Sequence, residues 1–159
     1  MRYLTFLFLL IVLLHIEADA QLDSTKRFEK AKGQLSNPVT RYYKAVTSKT
    51  PNQNESYVKC RNPGNSYYLN CIDTVKAIYE GRIVAVFVVE QEYTLMTKYG
   101  DYFIAYSGIP KPSYKKGDYL QKGDCLGIIT PEKGVDFIVN LIIMKGAREL
   151  DPMKWIKFP

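Results

Sequence analysis

Few residues in this chain have the types and spacing to do chemistry. The only histidine is His15, inside an apolar N-terminal run, so a chain cleaved after that run holds no imidazole. That removes Ser–His and Cys–His nucleophile pairs, the usual general base near neutral pH and the commonest zinc ligand. The cysteines are Cys60, Cys71 and Cys125. In an oxidising compartment Cys60 and Cys71 could close a short loop, worth about 3 kcal/mol in the chain-entropy view, leaving Cys125 over. Cys125 precedes Leu126-Gly127-Ile128-Ile129 and is expected as a buried thiol in a strand. A zinc site made of cysteines alone needs a fourth ligand that the spacing does not supply. Asp73 and Asp136 have no evident partner for acid–base work and are expected at turns or on the surface. No metal and no cofactor is expected.

The segment that repeats itself, Lys116-Gly117-Asp118 followed by Lys122-Gly123-Asp124, reads as structure before chemistry. Glycine permits the positive φ of a tight corner, and the aspartate after it can accept backbone N–H groups that the corner leaves open. The two corners bracket a short strand in which Tyr119 and Gln121 face one way and Leu120 the other.

Around these corners the chain from Val75 onward is a series of short β-branched and aromatic runs punctuated by Gly, Asp and Pro. Strands are expected at 75–79, 82–90, 93–99, 102–106, 126–130 and 137–144, the rhythm of an antiparallel all-β domain. Residues 21–57 are polar and sparse in apolar side chains, which predicts an arm or linker with a short helix near 24–33 and one strand near 39–46. The organisation expected is thus 1–20, 21–57 and a β domain over 58–159.

Residues 1–20 set the expected compartment. Arg2 precedes the apolar run from Leu4 to Leu14, and the stretch closes on Ala18-Asp19-Ala20. This is the pattern of a secretory signal peptide, too short in its apolar core to span a bilayer, with cleavage expected before Gln21. No later run reaches the length of a membrane helix. From Gln21 onward the chain would carry 21 basic against 14 acidic residues, a net +7. Such a charge suits a partner with anionic groups or simply a solvated surface. A secreted or periplasmic location is expected, with nucleic acid excluded as a partner.

Four pieces in order resemble the lysostaphin/LytM-type zinc endopeptidases, which cut peptidoglycan cross-bridges. Val75-Lys76-Ala77-Ile78-Tyr79-Glu80-Gly81-Arg82-Ile83 resembles their V-x-A-x-x-x-G-x-V strand pair, and Gly100 to Tyr106 resembles their G-x-x-x-x-x-Y strand. Lys116 to Gly127 is similar to their doubled Gly-Asp segment, and Leu150-Asp151-Pro152-Met153-Lys154-Trp155 to their V-D-P-x-x-W/F closure. The resemblance covers about 75–158 and implies a mainly β fold, a LytM-like antiparallel sheet of the duplicated hybrid motif, barrel-sandwich-like in form. It also implies where a zinc site would lie. The H-x-H pair falls on Ile138-Val139-Asn140, the histidine beyond the Tyr strand falls on Gly108, and the upstream H-x-x-x-D falls near Asn62 and Ser66. The ligand positions have thus lost their imidazoles, and without a metal there is no water of lowered pKa and no Lewis acid.

The resemblance therefore implies a pseudo-peptidase that binds peptidoglycan or a cell-wall hydrolase in the old substrate groove, with Tyr102, Tyr106 and Asn140 expected along it. Two alternatives stand beside it: an active cell-wall metalloendopeptidase with unusual ligands, and a biotinyl/lipoyl-like hybrid domain. The second rests on Lys133, ten residues after Gly123, which is similar in spacing to a lipoyl-carrying lysine.

Overall fold

The computed structural model describes residues 20–47, 64–89 and 91–157. Cys60, Asn62 and residues 1–19 lie outside them, so the signal segment and the Cys60–Cys71 pairing are not addressed by the described residues. A helix, α1, runs over 20–30. The strands follow as β1 (Lys44–Thr47), β2 (Asn65–Leu69), β3 (Asp73–Lys76), β4 (Gly81–Val89), β5 (Glu92–Tyr99), β6 (Tyr102–Ile109), β7 (Tyr119–Leu120), β8 (Cys125–Ile129), β9 (Phe137–Lys145) and β10 (Arg148–Leu150). A 3-10 turn, Pro152–Lys154, ends the described chain. No helix among the described residues is long and apolar enough to cross a membrane.

The main sheet has the order β1-β2-β9-β6-β5-β4-β7, with β10 beside the far half of β9, and β3 and β8 make a separate two-stranded ribbon. All its pairings are antiparallel. The mainly β architecture expected from the alternating runs is the one observed. Period two divides the main sheet into two faces. Leu95 and Thr97, Tyr102, Ile104 and Tyr106, and Val139, Leu141 and Ile143 point inward and are buried.

What covers that inner face corrects the expectation of a polar arm over 21–57. Phe28, Leu35 and Val39 are completely or almost completely buried in the same core as the sheet residues. Phe28 stacks on Trp155 with ring centroids 4.8 Å apart and lies 4.5 Å from the ring of Tyr102. Leu35 and Ile156 form a parallel bridge, with the Leu35 N–H bonded to Trp155 O at 3.0 Å and the Lys157 N–H to Leu35 O at 2.8 Å. Three apolar side chains in a polar stretch are enough to seal a sheet when they are aromatic or branched and meet a tryptophan. Residues 20–47 therefore belong to the domain, and β1 extends its sheet.

The two Gly-Asp corners behave as their residue types dictate. Gly117 and Gly123 have φ of 99° and 93°. Asp118 Oδ2 accepts the Lys115 N–H at 2.9 Å, and Asp124 Oδ2 accepts the Gln121 N–H at 2.9 Å. Each corner also clasps another part of the chain. The first exchanges two backbone bonds with Ile83 and the second exchanges two with Ala77, all 2.8 or 2.9 Å. Cys125 is in a strand as expected, but it is exposed while Leu126 is buried, because the corner sets Cys125 on the solvent side of the pleat.

Candidate functional site

The outer face of the main sheet carries a groove of about 370 Å³, lined among others by Phe87, Met96, Ser107, Gly108, Asn140 and Ile142. Its floor is the outward set of β4, β5, β6 and β9. Asn140 stands opposite Ser66 on β2 and Ser107 on β6. The two positions that the resemblance gave to an Asp and a His ligand are therefore neighbours across strands, although 74 residues separate them. Ser66 Oγ donates to Asn140 Oδ1 at 2.6 Å, and Thr94 Oγ1 donates to Ser107 Oγ at 2.9 Å. A row of neutral hydroxyl and amide groups spans the sheet where charged and imidazole ligands would converge.

Gly108 reaches this face through an irregularity. Tyr93 pairs with Ile109 but Leu95 pairs with Tyr106, so two steps on β5 span three on β6. Such a bulge re-aims the residues it contains. Gly108 has φ of 68°, and a Cβ added there would lie 2.2 Å from Ile138 O and 3.3 Å from Glu92 Oε2. The position that the resemblance gives to a histidine is closed to any side chain by the backbone of β9.

Two expected groove residues are elsewhere, because the regular alternation of β6 before the bulge sets them with Ile104 on the other face. Tyr106 and Tyr102 lie on the inner face and are buried. Tyr106 Oη accepts the Ile78 N–H at 2.9 Å, and burial pushes its phenol far above the ordinary tyrosine value. Tyr102 Oη donates to Glu29 Oε1 at 2.8 Å, which ties β6 to α1. Both are structural tyrosines in contact with the core, and of the expected groove residues only Asn140 lines the groove. Ile138 is half-buried beside it.

The other singled-out groups are apart from the groove. Asp73 accepts N–H bonds from Thr40 at 2.6 Å and Arg41 at 2.7 Å, fixing the approach to β1. Burial alone would raise its carboxyl, but the bonds from Arg41, Thr40 and Thr74 hold it below the usual carboxylate range. Asp136 accepts a hydrogen bond from Tyr43 Oη. Lys133 is exposed in the connection between β8 and β9. Sequence reasoning missed Glu92, Thr94, Ser107 and Glu149 at the groove. Their only sequence signal was alternation, which the bulge interrupts around Thr94 and Ser107.

No protein-family model matches the chain, and no curated protein is similar enough to match. Solved structures do match in shape. Helicobacter pylori Csd3 superposes with a TM-score of 0.62 at 18% identity over 79% of this chain and 35% of that one. A chain of the SpoIIQ–SpoIIIAH pore-forming complex gives 0.58 at 15% identity, covering 79% of this chain and 92% of its own. A zinc-containing peptidase from Vibrio cholerae gives 0.56 at 18% identity over 80% and 41%. The fold is that of the LytM-type peptidases. This chain spans about a third of the Csd3 chain it matches. The described residues at the positions that the resemblance gives to the ligands do not suit the zinc that the fold can carry. Ser66 and Asn140 are neutral, the hydroxyl of one is already committed to the amide oxygen of the other, and Gly108 and Ile138 offer no side-chain donor. Zinc in proteins is held by thiolate, imidazole or carboxylate.

Proposed function

We propose that this chain is a secreted or periplasmic, non-catalytic LytM-type module that uses the outer groove to hold peptidoglycan or a cell-wall hydrolase. The single observation that carries this reading is the Ser66–Asn140 hydrogen bond at 2.6 Å, which joins two positions that the resemblance gives to metal ligands. A scaffold that keeps its corners, its closing turn and an open groove of about 370 Å³, while its ligand positions pair internally, retains a surface for contact and not a metal for hydrolysis. The N-terminal segment supports export, and the likeness to a chain of a pore-forming complex supports a role in protein assembly.

The test is co-sedimentation of the purified protein with isolated sacculi, beside a Met96→Arg variant that places a charge on the groove floor. Binding by the native protein, lost in the variant, is the expected result, with no change in sacculus turbidity. Loss of turbidity that chelators abolish would instead restore the active-peptidase reading. Absence of sedimentation removes the wall-binding form and leaves the hydrolase partner, which the same variant then tests by pull-down.

A further inference from the structure

On one side the main sheet ends at the two-residue β7, so among the described residues most of the outer edge of β4 is unpaired. β7 pairs only with Gly81 and Arg82, and the first Gly-Asp corner takes the N–H and C=O of Ile83. Beyond that point, among the described residues, the backbone of residues 84–89 bonds to β5 alone. Hydrogen-bonded and non-bonded pairs alternate along an antiparallel ladder, and a two-residue connection is normally closed by a bonded pair. Val89 and Glu92 are that pair, so Val86 and Val88 turn their N–H and C=O to the open side. Phe87, Val88 and Val89 are 43%, 53% and 54% exposed. An apolar edge of this kind is normally guarded by lysine, proline or a covering loop. Residues 84–89 contain neither lysine nor proline.

The groove beside this edge is selective in charge. Phe87 and Val89 form its β4 rim, and the ionisable residues lining it are Glu92 and Glu149. The chain has 22 Lys and Arg against 16 Asp and Glu, yet among the described residues none of its cations lines the groove. An extended peptide satisfies both features at once, since its main chain can complete the open ladder while alternate side chains enter the groove. A glycan has no such ladder of donors and acceptors.

We propose that β4 takes up an extended, lysine- or arginine-bearing segment of a partner protein as an added strand along residues 84–89, with alternate side chains over the β4 rim of the groove toward Glu92. This inference rests on the groove reading above and names the occupant as a basic peptide.

The experiment uses the purified protein and a terminally blocked, fluorescent peptide of sequence Lys-Val-Thr-Val-Lys-Val-Thr-Val-Lys, with a twin in which glutamate replaces each lysine. Anisotropy should show binding of the basic peptide and at least about tenfold weaker binding of the acidic one. Val88→Pro removes an outward N–H without touching the β5 ladder and should weaken the basic peptide at least about tenfold, the effect of losing one or two strand hydrogen bonds. In hydrogen exchange the amides of Val86 and Val88 should gain protection only when the basic peptide is present. Equal binding by folded Val88→Pro, equal binding of both peptides, or no protection at Val86 and Val88 in the native protein each overturns strand addition. Self-association of the protein through β4, seen in sedimentation as a dimer that Val88→Pro abolishes, also overturns it. Loss of sacculus or partner binding in Met96→Arg but not in Val88→Pro overturns this inference while leaving the groove reading intact.

Discussion

Replacing Gly108 with alanine asks whether the backbone, and not merely the choice of side chain, closes the position that a histidine would fill. Gly108 sits at φ of 68°, and a Cβ there meets Ile138 O at 2.2 Å, well inside the 3.0 Å that real Cβ atoms respect. The left-handed conformation costs a non-glycine residue about 1–2 kcal/mol. Opening the contact means moving β6 and β9 apart in the centre of the sheet, comparable to overpacking a core at about 1–3 kcal/mol. Against these, alanine restricts the unfolded chain and returns about 0.4–1 kcal/mol. The net loss expected for Gly108→Ala is about 3 kcal/mol, or roughly 10 °C in melting temperature for a domain of this size.

Gly146→Ala is the matched comparison. It has φ of 56° but nothing within 4 Å of an added Cβ, so only the conformational cost applies, about 1 kcal/mol or less after the unfolded-state gain. Urea unfolding followed by circular dichroism, with equal m-values for the two variants, measures the difference. If Gly108→Ala is no worse than Gly146→Ala, the steric argument fails, and histidine could be restored at Gly108 by substitution alone.

Other outcomes follow from the same packing. Tyr106→Phe leaves the buried Ile78 N–H without its acceptor and should lose about 1–3 kcal/mol in urea unfolding, with sacculus binding unchanged because the ring faces the core. Phe28→Ala should cost about 3–5 kcal/mol, which an unpacked arm would not. Ser66→Ala removes the donor to Asn140 and should lose about 0.5–1.5 kcal/mol, most of it absent when Asn140→Ala is already present, as a double-mutant cycle would show. The folded-state carboxyl of Asp73 is depressed, so its stabilisation is complete above the unfolded value near pH 4 and is lost as pH falls through the folded value. Asp73→Asn should therefore lose stability at pH 7, where the native carboxylate contributes fully, and change little below the folded value, so that this part of the acid limb flattens.

The sequence carried the strands that alternate cleanly. Residues 82–90, 93–99 and 137–144 are observed as Gly81–Val89, Glu92–Tyr99 and Phe137–Lys145, and the Gly-Asp corners bond as glycine and aspartate chemistry requires. What was hidden depended on partners distant along the chain. Asn65-Ser66-Tyr67-Tyr68-Leu69 has too little apolar contrast to announce a strand, and it becomes β2 because β9 offers it a ladder. Phe28, Leu35 and Val39 look isolated in a polar stretch until Trp155 arrives beside them. Tyr106 was expected at the groove as the neighbour of the position two residues on, but it alternates with Ile104 on the inner face, and the extra residue between the two β5 pairings turns Gly108 to the other side. The Ser66 and Asn140 positions were legible only through resemblance, and their hydrogen bond was visible from neither composition nor spacing.

β9 pairs with β6 on one side and with β2 on the other, which has a consequence for assembly in time. On the proposed export route, a chain threaded out of the cytoplasm from its N-terminus exposes Ser66 long before Asn140, and hairpins such as β4–β5 can close while the rest is still in transit. Long-range pairing of this kind is slow to form. The recognition surface is thus expected to appear last, after the closing strand has emerged, so that the protein cannot engage a ligand while still crossing the membrane.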